Sequence, residues 1–131
     1  MLHESRTISI QINRDPATVY RFVADLAHFP GWATSFCQSI SQTTDGWLAQ
    51  TPQGPVAIRL ALPNDFGVLD HYVTPASGTE LYVPLRVMAN GTGSEVVFTL
   101  FRLPGISTED YAADAALVEK DLATLKAIME E

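Results

Sequence analysis

The sequence predicts one α+β domain in which a curved antiparallel sheet of seven strands wraps around a long C-terminal helix. Three observations carry this prediction. The opening segment alternates polar and apolar residues, the middle of the chain consists of short apolar runs between turn signals, and the last segment repeats apolar residues every three or four positions. With 131 residues, of which 47% are hydrophobic, the chain has the size and composition of a single domain spanning 1–131.

The first strand and two short helices are predicted before residue 36. Residues 7–12 alternate between polar and apolar side chains, which is typical of a half-buried strand. Asp15 is a good N-cap and Pro16 suits the first helical position, so a helix begins here. Its apolar face is formed by Val19, Phe22, Val23 and Leu26. Because Pro30 cannot lie in a helix interior, the helix ends before it, and a second helical turn is predicted over 31–35.

Six further strands are predicted between Phe36 and Arg102. The dipeptide Asp45-Gly46 is a strong hairpin signal, and clusters of Pro, Asn, Asp and Gly mark the later reversals. These turns leave strands near 37–44, 47–52, 55–62, 67–74, 79–89 and 94–102. Since short hairpins join them, the strands should pair antiparallel.

The C-terminal helix begins at a capping box. Ser107 and Asp110 have the spacing at which a side chain at each position can bond to the other's backbone N–H. No Gly or Pro follows, so the helix is predicted to continue to the end of the chain and to lie in the concave face of the sheet. Its apolar face is formed by Tyr111, Ala115, Val118, Leu122, Leu125 and Met129.

Composition and charge disfavour several classes of function. The formal net charge of −7 would repel nucleic-acid phosphates and anionic lipid, and no basic cluster offsets it. No apolar run is long enough to insert in a membrane or to act as a signal peptide, so a cytoplasmic location is expected. The single cysteine, Cys37, is interpreted as a small buried hydrophobe. His3, His28 and His71 lack the spacing of metal ligands, so neither a metal nor another cofactor is expected.

The segment 27–32 (AHFPGW) has two interpretations. It is either a chemical site with His28 as the reactive group, or a corner between two helices. No acid or nucleophile stands beside His28 at a catalytic spacing, and the Pro-Gly pair bends the chain, so the corner is favoured. Phe29 would pack that joint, and Trp32 would also border the mouth of a cavity.

The order of elements resembles the helix-grip superfamily, SRPBCC, which includes START lipid-binding domains, birch-pollen-allergen-like proteins and bacterial polyketide cyclase/dehydrase-like proteins. The resemblance lies in the strand-Asp-Pro-helix opening (ISIQINRDPATVYRFVAD), the HFPGW corner, and the final strand and helix (GSEVVFTLFRLPG, then STEDYAADAALVEKDLATLKAIM). It extends over essentially the whole chain, with the polyketide cyclase-like proteins as the nearest branch. It implies a cavity between sheet and C-terminal helix that holds a lipid- or polyketide-like molecule.

Hairpin geometry predicts which side chains face this cavity. If residues 89 and 94 pair, one face of the hairpin is entirely apolar and should lie beneath the long helix. This inner face carries Leu81, Val83, Leu85, Val87, Val96, Phe98 and Leu100. The outer face carries Tyr82, Arg86, Met88, Glu95, Val97, Thr99 and Phe101. Arg86 and Glu95 are then predicted to form an exposed ion pair worth about 0–1 kcal/mol.

The same geometry places an acidic residue inside the cavity. Applied to the turn at 75–78, it turns Val68, Asp70 and Tyr72 inward and His71 outward. An unpaired carboxylate on an apolar wall is costly, so a partner for Asp70 is expected.

Arg59 is the candidate partner of Asp70. Pairing residue 62 with residue 67 sets Arg59 opposite Asp70. The same pairing turns the apolar residues Ile58, Leu60 and Leu62 outward, and a single β-bulge would reverse the whole assignment.

Three functions remain open at this point. The first is binding of a small hydrophobic ligand by Trp32, Val68, Asp70, Tyr72, Val83, Leu85, Phe98, Leu100, Tyr111, Ala115, Val118 and Leu122. The second is a polyketide cyclase- or dehydratase-like enzyme, in which Asp70, Tyr72 and Arg59 orient a carbonyl or act as acid and base. The third is an interaction module, for example a homodimer, that uses the apolar residues Tyr82, Met88, Val97 and Phe101 of the outer face.

Overall fold

The computed structural model describes residues 1–131 and contains eight strands and three α-helices. The predicted α+β class is confirmed, whereas the predicted count of seven strands in one sheet is wrong. The elements in chain order are β1 Ser5–Ile12, α1 Pro16–Ala24, α2 Phe29–Trp32, β2 Ser39–Thr43, β3 Gly46–Thr51, β4 Gly54–Leu60, β5 His71–Pro75, β6 Leu81–Val83, β7 Leu85–Asn90, β8 Gly93–Phe101 and α3 Thr108–Met129.

The strands form two antiparallel sheets. One has the order β1-β8-β7 and the other the order β2-β3-β4-β5-β6. The predicted strand 79–89 is divided at Pro84, which has no N–H to donate to a neighbouring strand. Its first part pairs with β5 and its second part with β8, so this one segment contributes to both sheets.

The segment that leads into β5 joins the two sheets. Val68 forms an isolated antiparallel bridge with Arg86 of β7. Beside it, the N–H of Leu69 donates to the carbonyl of Leu85 at 2.8 Å. Gly67 accepts from the N–H of Val87 at 2.9 Å, and a side chain on Gly67 would overlap the carbonyl oxygen of Val87. With a φ of +73°, position 67 therefore requires glycine.

The predicted register between the last two strands is confirmed. Ala89 pairs with Ser94, and Leu85 pairs with Phe98. The inner face of this hairpin is apolar, with Leu85 and Val96 fully buried. Arg86 lies on the outer face as expected, but its predicted ion pair with Glu95 is wrong, because Arg86 binds Asp70 instead.

The predicted orientation of residues 68–72 is wrong. Tyr72 pairs with Tyr82, one residue beyond the partner that the prediction gave it. A shift of one residue moves every side chain to the opposite face of a strand. His71 is therefore buried in the interior, while Asp70 and Tyr72, with Val68 two positions before Asp70, belong to the outer face.

Arg59 also lies on the outer face. It pairs with Tyr72 and not with Asp70, so the predicted inward ion pair is wrong. In the observed register, Ile58 lies in the core, where it is 4% exposed, and Leu60 packs against that core. Burial of these apolar side chains decides the register, because the alternative would expose them to water.

The segment AHFPGW is a corner, as predicted. Nδ1 of His28 lies 2.7 Å from the carbonyl oxygen of Phe22, and the two rings stack at 4.2 Å. Phe29 and Trp32 are buried and meet edge to face at 5.4 Å. The second helix covers Phe29–Trp32 and not 31–35, since proline is tolerated in a first helical turn.

The C-terminal helix α3 closes the domain. Ser107 caps it by accepting from the N–H of Asp110, as predicted. The helix has 22 residues, packs against β1, β8 and α2, and buries Tyr111 at its start and Met129 at its end. None of the helices combines the length and the apolar character that crossing a membrane requires.

Candidate functional site

A cleft of about 540 Å³ lies between α3 and the sheets. One wall is the corner around α2, the floor comes from β5, β6 and β8, and the second wall is one flank of α3. Ten of its 17 lining residues are hydrophobic, so the wall is mainly apolar. Four of them are aromatic: Phe29, Trp32, Phe36 and Phe98.

The predicted ligand-binding residues divide into four groups in the structure. Those that line this cleft are Trp32, Val83, Phe98, Val118 and Leu122. Leu85 and Ala115 are buried in the packed core. Leu100 and Tyr111 line a second cavity, and Val68, Asp70 and Tyr72 line neither.

The second cavity, of about 760 Å³, lies beside the start of α3. Val83, Phe98 and Asp114 border both cavities, so the two are neighbours with a shared wall. Tyr111 lines the second cavity, is buried, and donates its hydroxyl to the carbonyl of Leu100 at 2.8 Å. The space between helix and sheet is therefore longer than the first cleft alone.

His71 is the polar group on the floor of the cleft. Its side chain is surrounded by apolar groups and meets the ring of Phe29 edge to face at 5.7 Å. Burial lowers the pKa of His71, so the imidazole is neutral at neutral pH. Nδ1 lies 3.2 Å from the carbonyl oxygen of Leu69, which can only accept, so Nδ1 carries the proton and Nε2 is an acceptor.

Asp121 places a buried carboxyl group at the junction of α3 with the corner. Its Oδ1 accepts from the N–H of Ser35 at 3.0 Å, and its residue is only 7% exposed. Burial raises the pKa of Asp121, because the charged form loses hydration. Nearby, Oγ of Ser35 and Nε1 of Trp32 are sealed from solvent without a hydrogen-bond partner.

The rim of the cleft on α3 is charged and partly exposed. Asp114 and Lys120 border the opening, together with Leu117, whose side chain is 45% exposed. Burial, and secondly the charge of Asp110, raise the pKa of Asp114. The helix therefore presents two carboxyl groups and one ammonium group to any molecule that enters.

The three predicted catalytic residues do not meet in the cleft. Asp70 binds Arg86, Tyr82 and the N–H of Leu85 on the other side of the sheet. Arg59 lies 4.2 Å from the ring centroid of Tyr72 and pairs with Glu80 at 3.3 Å. These groups build a surface network and have no access to the cleft floor.

The outer face of the sheet carries the predicted apolar patch. Tyr82 stacks between Tyr72 and Phe101, at ring distances of 5.3 and 6.4 Å. Tyr82 and Met88 are 44% and 50% exposed. A homodimer through this face stays a prediction, which light scattering at high protein concentration would test.

Two buried polar residues of the cleft are not among the predicted site residues, although each leaves a signal in the sequence. His71 alternates with the apolar residues Leu69 and Val73, which is the pattern of one inward strand face. Asp121 lies three residues after Val118 and four before Leu125, so it falls on the apolar side of the helix. No group of three or more His, Cys, Asp or Glu side chains is arranged to hold a metal ion.

Comparison with known proteins supports the fold. No protein-family model matches the chain, and no curated protein is similar to it in sequence. Among solved structures, a START superfamily protein from Mycobacterium smegmatis matches with a TM-score of 0.68 and 12% identity, over 96% of this chain and 97% of that one. Ara h 8.0201 matches with the same TM-score, identity and coverage.

A third match is DynU16, a protein in the dynemicin biosynthetic locus. It has a TM-score of 0.73 and 15% identity, over 98% of this chain and 48% of that chain. This chain therefore corresponds to about half of DynU16. The three likenesses confirm the helix-grip fold that the sequence resemblance predicted.

Proposed function

We propose that the protein binds a small, mainly apolar molecule in the cleft between α3 and the sheets. The observation that carries this proposal is the cleft itself, whose volume of about 540 Å³ falls within the usual range for ligand sites. Its aromatic wall supplies a large apolar contact area. The helix-grip fold supports the proposal, because its resemblance to START and polyketide cyclase-like proteins implies a lipid- or polyketide-like ligand.

The second cavity supports an extended ligand. It adjoins the cleft at Val83 and Phe98, and it is also lined mainly by apolar residues. A chain or a fused ring system that passes Phe98 would bury more apolar surface than a molecule confined to the cleft.

A charged residue in the cleft tests this proposal. Leu117→Lys places an ammonium group at the opening, where it opposes entry of an apolar molecule. We expect the affinity for Nile red, a neutral fluorescent probe, to fall at least about tenfold. Leu62→Lys is the matched control, because Leu62 is 84% exposed and does not line the cleft. An equal loss of affinity in both variants, or no loss in either, would reject the cleft as the binding site.

A catalytic role is the second candidate, and the neutral imidazole of His71 favours it. A free Nε2 in an apolar cleft can take a proton from carbon beside a ligand carbonyl, as cyclisation and dehydration of polyketides require. The likeness to DynU16, a protein of a biosynthetic locus, is compatible with this role.

Proton exchange tests the catalytic candidate. In D₂O, wild-type protein should accelerate exchange of the protons beside the carbonyl of 1-tetralone, followed by NMR. His71→Gln should remove the acceleration. Asp70→Asn should keep it, since Asp70 lies outside the cleft. Exchange at the uncatalysed rate with wild-type protein would leave binding as the function.

A further inference from the structure

His71 gives the cleft a hydrogen-bond acceptor, the ring nitrogen Nε2. Its Nδ1 proton is directed to Leu69, and its Nε2 has no partner within the protein. The sealed polar atoms without a partner are limited to Trp32 and Ser35, so Nε2 retains accessible surface. Because His71 is only 6% exposed and lines the cleft, that surface opens into the cleft. A molecule seated there meets a group that requires a donor.

The charges around the cleft limit the donor further. Asp114 and Asp121 line the helix side, and Lys120 is the only cationic side chain of the lining. A ligand carboxylate would face these two acids and could not donate to Nε2. Its entry would therefore cost desolvation without recovering a hydrogen bond on the floor.

A cationic donor fits the floor no better. Beside His71, the floor carries Val73 and Val83, and Phe29 meets its ring, so the floor itself offers no anion. The carboxyl groups of Asp114 and Asp121 lie on the helix side, and an ammonium group would pair with them instead of donating to the neutral Nε2. A hydroxyl group is a neutral donor, and burying it costs far less than burying a charge.

We propose that the cleft selects uncharged apolar molecules that carry a hydroxyl group, which donates its proton to Nε2 of His71. This inference rests on the proposed binding function and adds the chemical class of the ligand: phenols or alcohols, and neither carboxylates nor ethers. The apolar body would occupy the aromatic part of the cleft, and the hydroxyl would mark the end that lies on the floor.

A matched set of naphthalenes tests the class of head group. Binding of naphthalene, 2-naphthol, 2-methoxynaphthalene and 2-naphthoate would be measured by titration calorimetry near pH 7.5. The methoxy compound is the decisive control, because it keeps the oxygen and loses only the donor. We expect 2-naphthol to bind about tenfold more tightly than naphthalene or the ether, which is the usual gain from one hydrogen bond. Naphthoate should bind more weakly than naphthol.

The His71→Leu variant connects the preference to this side chain. It should bind naphthalene as wild-type protein does, while the ratio between naphthol and ether falls to about one. If this variant does not fold, the side-chain ¹⁵N resonances of His71 in wild-type protein give the same answer. The Nε2 resonance should move on addition of naphthol and stay in place with the ether.

The outcomes separate this inference from the proposed function. If none of the four compounds binds in competition with Nile red, the cleft is not a ligand site and the proposed function fails. If naphthol and ether bind equally, or naphthoate binds most tightly, binding stands and the hydroxyl preference is overturned. An unchanged preference in His71→Leu overturns the role of His71.

Discussion

Asp70 and Arg86 form a two-point ion pair across the junction of the two sheets. Nε of Arg86 lies 3.2 Å from Oδ1 of Asp70, and Nη2 lies 2.9 Å from Oδ2. Oδ1 also accepts from the N–H of Leu85 at 3.0 Å, and Oδ2 accepts from Tyr82 at 2.8 Å. Although burial opposes it, these bonds from Arg86, Tyr82 and Leu85 lower the pKa of Asp70 overall. The carboxylate therefore joins strands that would otherwise meet through few backbone bonds.

Asp70→Asn should reduce folding stability and leave binding unchanged. The amide keeps the shape of the side chain and loses the charged pair, at a cost of about 1–3 kcal/mol in the free energy of unfolding. Because the pKa of Asp70 is lowered by folding, its contribution is present at neutral pH and disappears as the pH falls below about 4. Urea unfolding at pH 7 and pH 3 would measure both effects.

Glu95→Gln is the matched control for this prediction. Glu95 lies on the same outer face, and its hydrogen bond is a single one from Asn90 at 3.0 Å. Its loss should change stability by less than about 0.5 kcal/mol. Equal effects of the two substitutions would contradict the special role of the Asp70 pair.

Gly67→Ala should destabilise the protein more than Gly78→Ala. Both glycines have a positive φ, of +73° and +88°. The methyl group at position 67 would also overlap the carbonyl oxygen of Val87, whereas no atom lies within 4 Å at position 78. We expect about 1 kcal/mol at position 78, from the backbone alone, and at least about 3 kcal/mol at position 67. Similar melting temperatures for the two variants would contradict this close approach.

The buried His71 should make folding stability fall in mild acid. Its pKa is lowered in the folded state, mainly by burial, so below about pH 6.5 the unfolded chain takes up a proton that the folded chain resists. The free energy of unfolding should then fall by at most about 1.4 kcal/mol per pH unit. The His71→Gln variant cannot titrate at this position. Urea unfolding between pH 7 and pH 5 should therefore show a smaller fall in its free energy of unfolding than in that of wild-type protein. Identical slopes for the two proteins would exclude His71 as its source.

Asp121→Asn should stabilise the protein slightly at neutral pH. The amide oxygen can still accept from Ser35, while the cost of a buried charge disappears. Because folding raises the pKa of Asp121, that cost is present above the folded-state pKa and absent in acid. The free energy of unfolding should increase by a few tenths to about 1 kcal/mol at pH 7, and this increase should vanish near pH 3. Asp45→Asn, on an exposed turn, controls for the change in net charge.

Local signals in the sequence predicted most of the elements but not the inner surface of the sheet. The Asn90–Gly93 turn determines the pairing of Ala89 with Ser94, and the cap at Ser107 locates α3. The turn after Pro75 admits two registers that differ by one residue, and local patterns do not choose between them. The burial of Ile58 and Leu69 favours one of these two registers, and this burial depends on contacts that are distant in sequence.

The candidate site depends on the same distant contacts. Trp32 lines the cleft, and the corner that carries it is a local structure. Ser35 and Asp121 are 86 residues apart and meet only when α3 docks against the corner. The division of one predicted strand at Pro84 is the opposite case, because it follows from a local property of the sequence, the missing N–H of proline.

The pairing of β1 with β8 has a consequence for how the chain reaches its native state. Ser5 lies opposite Phe101 and Ile12 opposite Ser94, so the first strand finds its partner only in the last strand. Contacts between residues so distant in sequence slow folding, because the entropy of closing a long loop is lost before the contacts form. On the ribosome, the first strand would have to wait, with its edge unpaired, until β8 had emerged.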